Sequence, residues 1–302
     1  LTAARGKFGT LLLDPFDIYI ETGPTTPGWT FQGTPDLTFT PPVSPLSSTS
    51  VVNVTELQNQ LANANVTIQT SGPADGSGNI TVAAPITWPR ATILTLTADN
   101  SIFVQQAISA PAGGLAMTAI GGSITVAGTV TVNGFSAAAE GSIALSSPIN
   151  ASTVTLNAIG AITMPSSGAI RASTLNVSAG GLISVDGAVD VGTFTLQGGT
   201  WRQVANPLPA FSATDFRLAG GSFLRALGGS GSSTPPDDIT PSVRVTDSYL
   251  ITDIYGLQGM ASTSLLASHF ELANDIDASG TREWNGRAGF VPELFGAEAG
   301  AY

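Results

Sequence analysis

The stretch whose reading decides the fold is LNVSAGGLISVDGAVDVGTFTLQGG, residues 175–199. Apolar residues alternate at Leu175/Val177, Ile183/Val185 and Val189/Val191, then again at Phe194/Leu196, and small or glycine-rich breaks separate the bursts. Alternation with a period of two marks strands with one face buried. Strands this short need neighbours, so the decisive question is whether the phrase recurs.

It recurs along much of the chain. Leu94, Leu115, Phe135, Val154, Leu175 and Phe194 are spaced by 21, 20, 19, 21 and 19 residues. A second series, Ile102, Ile124, Ile143, Ile162 and Ile183, steps by 22, 19, 19 and 21, and a third, Ile108, Val130, Ile149, Ile170 and Val189, by 22, 19, 21 and 19. A shared beat in this range is the mark of a solenoid. Each unit supplies three strands of a few residues. If equivalent strands stack in register, the result is an all-β fold: a parallel β-helix with three sheets and about 20 residues per coil. The handedness of parallel crossovers makes it right-handed. Glycine pairs such as Gly113-Gly114, Gly121-Gly122 and Gly180-Gly181 are expected to turn the corners by adopting positive φ. With about 4.8 Å per rung, residues 79–199 would form a rod on the order of 25–30 Å long.

Charge is scarce where the beat is strongest. Residues 79–200 contain Arg90, Asp99, Glu140, Arg171, Asp186 and Asp190 as their charged residues. The outward positions of the first series, Thr95, Ala116, Ser136, Thr155, Asn176 and Thr195, are neutral and small. Stacking accounts for this, because like charges on adjacent rungs would lie about 4.8 Å apart and repel. Over all 302 residues the net charge is −11, with 10 basic side chains and no basic cluster, so nucleic acid is not an expected partner. There is no cysteine, which excludes disulfides and thiolate metal sites. No apolar run reaches the length of a membrane-spanning helix. The opening LTAARGKFGT has no basic segment followed by an apolar one, so the sequence reads as an internal piece or as what remains after a leader is removed.

The flanks give a three-part organisation. Residues 1–78 form an entry region with a Pro/Thr/Ser-rich excursion at 21–50 and a short helix in TELQNQLAN, Thr55 as N-cap and Gln58 in the capping-box position; an earlier coil begins there at Val66/Ile68, with an enlarged corner at QTSGPADGSGN, and runs on through Ile80/Val82 and Ile86. Residues 79–200 are the regular coils. After Gly199 the beat fades, and residues 201–302, with 17 charged side chains, form a decorated or irregular β region that continues or caps the helix. Strands are expected in SVRVTDSYLI and HFELANDI, and a short helix in LQGMASTSLLA.

Beside these residue patterns, LLLDPFDIYI, VTELQNQLANANVTIQT, NITVAAPITW and LTLTADNSIFVQQAI resemble the large exoproteins of the filamentous haemagglutinin family. YLITDIYGLQGM and FELANDIDASGTREWNGRAGFVP are similar to the segment that follows the β-helical blocks of those proteins, near glycine-rich repeats. In chain order these matches cover most of residues 6–292. The resemblance implies a right-handed β-helix, export through an outer-membrane two-partner (type V) transporter, and a place in an adhesive fibre at the bacterial cell surface or released from it. The family's N-terminal secretion domain, with its Asn-Pro-Asn-Leu type motif, is absent, and VPELFGAEAGAY does not run on into the usual glycine-rich repeat, so an internal module is implied.

Candidate chemistry is sparse. β-Helical polysaccharide-degrading enzymes need carboxylates and basic groups on successive rungs within hydrogen-bond reach, and here the pair that the walls bring close is Asp186 and Asp190, which read as solvated turn residues. His269, the one histidine, has no cysteine or second histidine for a metal site and no nucleophile motif. Asp275, Asp277 and Ser279, with Gly280, match positions 1, 3, 5 and 6 of a calcium loop, but Gly286 stands where the closing glutamate belongs. A polar turn is the competing account. Trp29, Trp88, Trp201 and Trp284 are scattered beside turn signals and read as packing residues rather than a sugar platform. Asn53-Val-Thr and Asn65-Val-Thr match the glycosylation pattern, as chance allows in so Asn- and Thr-rich a chain.

The expectation is therefore a non-catalytic structural and adhesive module of a secreted fibre, with no catalytic residue and no cofactor. Its partners would be the two-partner transporter during export and a host, surface or carbohydrate receptor. Two alternatives stand beside it: a subunit that associates end to end or laterally into a filament or surface layer, and a β-helical polysaccharide-degrading enzyme.

Overall fold

The computed structural model describes residues 17–27, 30–33, 36–40, 49–70, 78–228 and 248–291. Stacked parallel coils form a β-solenoid of about 8 turns with roughly 21 residues per turn, close to the beat read from sequence. The first sheet aligns Val66, Leu94, Leu115, Phe135, Val154, Leu175, Phe194 and Phe216 in register. The second aligns Ile18, Ile80, Ile102, Ile124, Ile143, Ile162, Ile183, Trp201 and Phe223. The third aligns Ile86, Ile108, Val130, Ile149, Ile170, Val189 and Phe211. These side chains are all buried and form one continuous core down the axis. Each contacts its equivalents above and below, so packing is nearest-neighbour along the rod.

Stacking runs past residue 200: strand Ala188–Val204 crosses that point and pairs with Phe211–Leu218 and Ser222–Ala226. Two expectations need correction. Three separate short strands per unit is too simple in the later coils, where Ala169–Val185 and Ala188–Val204 are unbroken strands that bend from sheet to sheet. The corner glycines named from sequence do not have positive φ. They are needed for close approach instead: a Cβ on Gly113 would lie 2.4 Å from Trp88 Nε1, and one on Gly180 would lie 2.2 Å from the Ile159 carbonyl oxygen.

A ladder of polar side chains runs along the corner between the first and second sheets. Asp17 Oδ1 accepts from Asn79 N at 2.8 Å, Asn79 Oδ1 from Ser101 N at 3.1 Å, and Ser101 Oγ from Ser123 N at 3.1 Å. Ser123 Oγ then accepts from Ser142 N at 3.0 Å, and Ser142 Oγ from Ala161 N at 3.2 Å. Each rung thus caps a backbone donor of the next, where the chain leaves the regular sheet pattern. Ser123→Ala deprives the Ser142 N–H of its acceptor. Its expected cost is about 1 kcal/mol, read as a lowered midpoint in urea unfolding with the slope unchanged.

Among the described residues, segments outside the regular coils cover part of each end of the rod. At the N-terminal end the chain steps outward before it advances: strand Asp17–Glu21 lies between Thr49–Asn53 on one side and Ile80–Val82 on the other. The outermost strand of the first sheet, Leu37–Thr40, pairs antiparallel with Thr30–Gln32. On the outermost strand of the second sheet, Val51 C=O accepts from Thr26 N at 3.0 Å and Val51 N donates to Thr26 Oγ1 at 2.7 Å. The third sheet ends under helix Val54–Leu61, which buries Leu57 and Leu61 and offers Gln58 Oε1 to Thr87 N at 2.7 Å. This helix is capped by Asn53, not Thr55. The Asn53 side chain accepts from Thr55 N and Glu56 N, and Gln58 is spent on the sheet edge. The excursion at 21–50 therefore includes edge-covering strands, while the enlarged corner at 71–77 lies outside the described residues.

At the C-terminal end the core turns aromatic. Phe194 stacks on Phe216 with ring centroids 5.2 Å apart, and Trp201 on Phe223 at 5.6 Å. The Tyr255 hydroxyl stands in for the next rung of the third sheet, donating to Ala213 C=O and accepting from Ala213 N, each at 2.9 Å. Helix Ile254–Gly259 presses on the second sheet so tightly that a Cβ on Gly259 would meet the Phe223 carbonyl oxygen at 2.1 Å. Trp284, buried, covers Phe216 at 5.0 Å. The helix thus begins before LQGMASTSLLA, a 3-10 turn at Thr263–Leu265 follows, and the strands in this region shorten to Tyr249–Ile251 and Phe270–Leu272. Those two strands pair in parallel and, with Leu224, Ala226 and Leu265, bury a small second core. The earlier part of SVRVTDSYLI, through residue 247, lies outside the described residues.

Candidate binding cleft at the end of the first sheet

On the outward face of the first sheet, one column runs Thr153, Thr174, Thr193, Asp215 and the next Thr155, Asn176, Thr195, Arg217. Both columns stay neutral until the last rung. Among the described residues no further coil of this sheet stacks on top, so the repulsion that keeps charge off the wall is relieved there. Asp215 and Arg217 are neighbours on one face of the same strand, and the Arg217 Nε donates to Asp215 Oδ2 at 2.9 Å.

The opposite bank is the loop after the 3-10 turn Ser279–Glu283. Its backbone turns left-handed at three successive residues, Asn285, Gly286 and Arg287, with φ of 53°, 64° and 77°. Asn285 and Arg287 carry side chains in that region, where steric cost normally keeps them out, so surrounding contacts must hold the loop. Gly289 N donates to Trp284 C=O at 3.0 Å, Asn285 Nδ2 donates to Gly289 C=O at 2.9 Å, and Arg287 Nε donates to Glu283 Oε2 at 3.0 Å. The buried Trp284 ring anchors the loop to the core. Between the banks lies an open cleft of about 400 Å³ lined by Gly192, Thr193, Thr214, Asp215, Glu283, Gly286 and Arg287.

Burial pushes the Asp215 carboxyl up. The Arg217 hydrogen bond and charge, with the Gly286 and Asn285 backbone donors, outweigh it and hold the group below its ordinary value. A depressed folded-state pKa contributes stability that is complete above the ordinary 3.8 and is lost as pH falls through the lower folded value. Acid titration of Arg217→Ala, against the parent chain, is expected to show a smaller loss of stability below pH 3.8, measured by urea midpoints across the range.

The structure disperses the residues singled out from sequence. Asp186 and Asp190 are exposed on the wall, with Asp190 in register with Arg171. His269 is exposed and uses its backbone carbonyl to accept from Tyr249 N. Trp88, Trp201 and Trp284 are each 1% exposed and therefore pack inside; Trp29 lies outside the described residues. In the calcium-like segment, Asp277 Oδ1 accepts from Ser279 N at 2.8 Å, which closes a polar turn and lowers the Asp277 pKa. Asp275, Asp277 and Ser279 are exposed, and among the described residues no three His, Cys, Asp or Glu side chains gather as metal ligands would. Asp215, Glu283 and Arg287 were not singled out by sequence. The usable signal was Phe216, which falls 22 residues after Phe194 and makes Asp215 the next outward position.

Among the described residues no helix is long and apolar enough to cross a membrane. No protein-family model, curated protein or solved structure matches this chain.

Proposed function

We propose that this chain is a non-catalytic structural and adhesive module of a secreted bacterial surface fibre, exported by a two-partner transporter and presenting its wall or its C-terminal cleft to a receptor. The observation that carries the reading is a long, nearly charge-free wall built from stacked parallel coils. Nearest-neighbour stacking lets such a rod lengthen without a new core, which suits a spacer. The resemblance to filamentous haemagglutinin-like exoproteins supports the same reading. The carboxylates of the cleft also fit it: Asp215 is held as an anion by Arg217, whereas a general acid for glycoside cleavage needs a raised pKa.

End-to-end polymerisation would have to displace helix Val54–Leu61 at one end and helix Ile254–Gly259 at the other, which lie over sheet edges there. Lateral association draws support from Ile120 and Ile159, which are 47% and 69% exposed on one corner, two rungs apart with Glu140 between them. Beads coated with the purified chain are expected to adhere to epithelial or abiotic surfaces, with separate rods visible by electron microscopy at high concentration. Release of product from a broad polysaccharide panel would overturn the non-catalytic reading. Ordered filaments or sheets would favour assembly instead.

A further inference from the structure

We propose that the cleft between Thr193/Asp215 and the 283–287 loop binds a neutral, hydroxyl-rich hexose unit of a glycan. This rests on the adhesive reading and names its ligand class.

The two banks carry matched chemistry. One presents Asp215, whose partner Arg217 borders the cleft 3.7 Å from where a Gly286 Cβ would stand, and the other the Glu283–Arg287 pair, each a carboxylate beside a guanidinium. A sugar hydroxyl both donates and accepts, and adjacent hydroxyls on a ring need an acceptor and a donor side by side. A carboxylate–guanidinium pair supplies both in a planar arrangement. Because each carboxylate is paired with a guanidinium, the cleft together with Arg217 at its border favours neither an anion nor a cation. A phosphate or sulfate would have to displace a carboxylate, and a metal ion would have to displace a guanidinium.

Room and rigidity point the same way. The floor is small, formed by Gly192, Thr193 and Thr214, and Gly286 keeps the opposite bank low. At about 400 Å³ the space matches one or two sugar rings. The left-handed turn at Asn285–Arg287 is fixed by Trp284 and by its own hydrogen bonds, so little ordering is needed when ligand arrives. Arg217 and Arg287 are 45% and 83% exposed, so their outward donors face solvent and can meet a ligand. No aromatic side chain lines the space, so a single hexose should bind with a Kd on the order of millimolar, and fibres would gain by multivalency.

Saturation-transfer NMR and titration with methyl β-galactoside, methyl α-mannoside, methyl β-glucoside and glucuronate test the proposal on the whole chain. Saturable binding of at least one neutral hexoside is expected, with glucuronate no tighter. Glu283→Gln and Arg287→Gln should each weaken it at least about fivefold, while the unfolding midpoint falls no further than loss of one exposed ion pair allows and circular dichroism is unchanged; Thr155→Ala on the distant wall should not weaken it. Absence of saturable binding to every neutral hexoside, tighter binding of glucuronate, or binding indifferent to both cleft variants overturns the proposal. Bead adhesion measured on the same variants keeps the two readings apart. Adhesion that survives while the cleft binds no sugar rejects the cleft alone, and sugar binding without adhesion rejects the adhesive role.

Discussion

Asp253→Ala is expected to lower stability by about 3 kcal/mol. Arg225 lies inside the last coil, its side chain 6% exposed. It donates to Asp253 Oδ2 at 2.6 Å, to Gln203 Oε1 at 3.0 Å and to the Pro209 carbonyl at 2.8 Å, and its guanidinium lies 5.7 Å from the Phe211 ring centre. Asp253 also N-caps helix Ile254–Gly259 through Gly256 N at 2.9 Å. Removing its carboxylate therefore strands a buried cation and uncaps the helix that covers the second sheet. Asp253→Asn keeps an acceptor for the cap and should lose less, whereas Asp253→Ala with Arg225→Met should recover much of the loss because an apolar replacement leaves no buried charge. Equilibrium urea unfolding of the three variants checks this. A loss below about 1 kcal/mol for Asp253→Ala would mean the pair behaves as a solvated one.

Phe194→Ala should cost about 3–5 kcal/mol and act locally. The ring is fully buried and sits at the centre of the aromatic block, with centroids 5.0 Å from Trp201, 5.3 Å from Phe211, 5.2 Å from Phe216 and 5.8 Å from Phe223. Aromatic pairs contribute about 0.5–1.5 kcal/mol each beyond burial, and Ala removes all four at once. Because coils couple to their nearest neighbours, the opening should be confined to the C-terminal end. Hydrogen exchange is expected to show protection lost across 189–226 and kept across 94–158. Uniform loss along the rod would instead show that the solenoid unfolds as one unit.

The aromatic block also explains why the sequence beat weakened where the structure did not. Upstream, the three inward series are aliphatic except at Phe135, so the pattern is visible by inspection. At Trp201, Phe211, Phe216 and Phe223 the residue type changes and Asn206-Pro207 adds a loop, yet the inward register is unbroken. Likewise the ladder Asp17, Asn79, Ser101, Ser123, Ser142 stood in plain view before the first five isoleucines of the second sheet. Only hydrogen-bond geometry gave it a role.

What the sequence determined by itself was the coil: its beat, its three inward series and the neutrality of its wall. These follow from a short-range rule, the same side chain at the same place on each rung, which a linear text records faithfully. What only the tertiary structure decided lies at the ends. The strand that steps outward at 17–21, the helix capped by Asn53, the Tyr255 hydroxyl on the third sheet and the pairing of Asp215 with a loop some seventy residues later all depend on where the last rung exposes unpaired backbone and freed surface. That demand is set by the finished stack and is met from distant sequence, so no local pattern announces it.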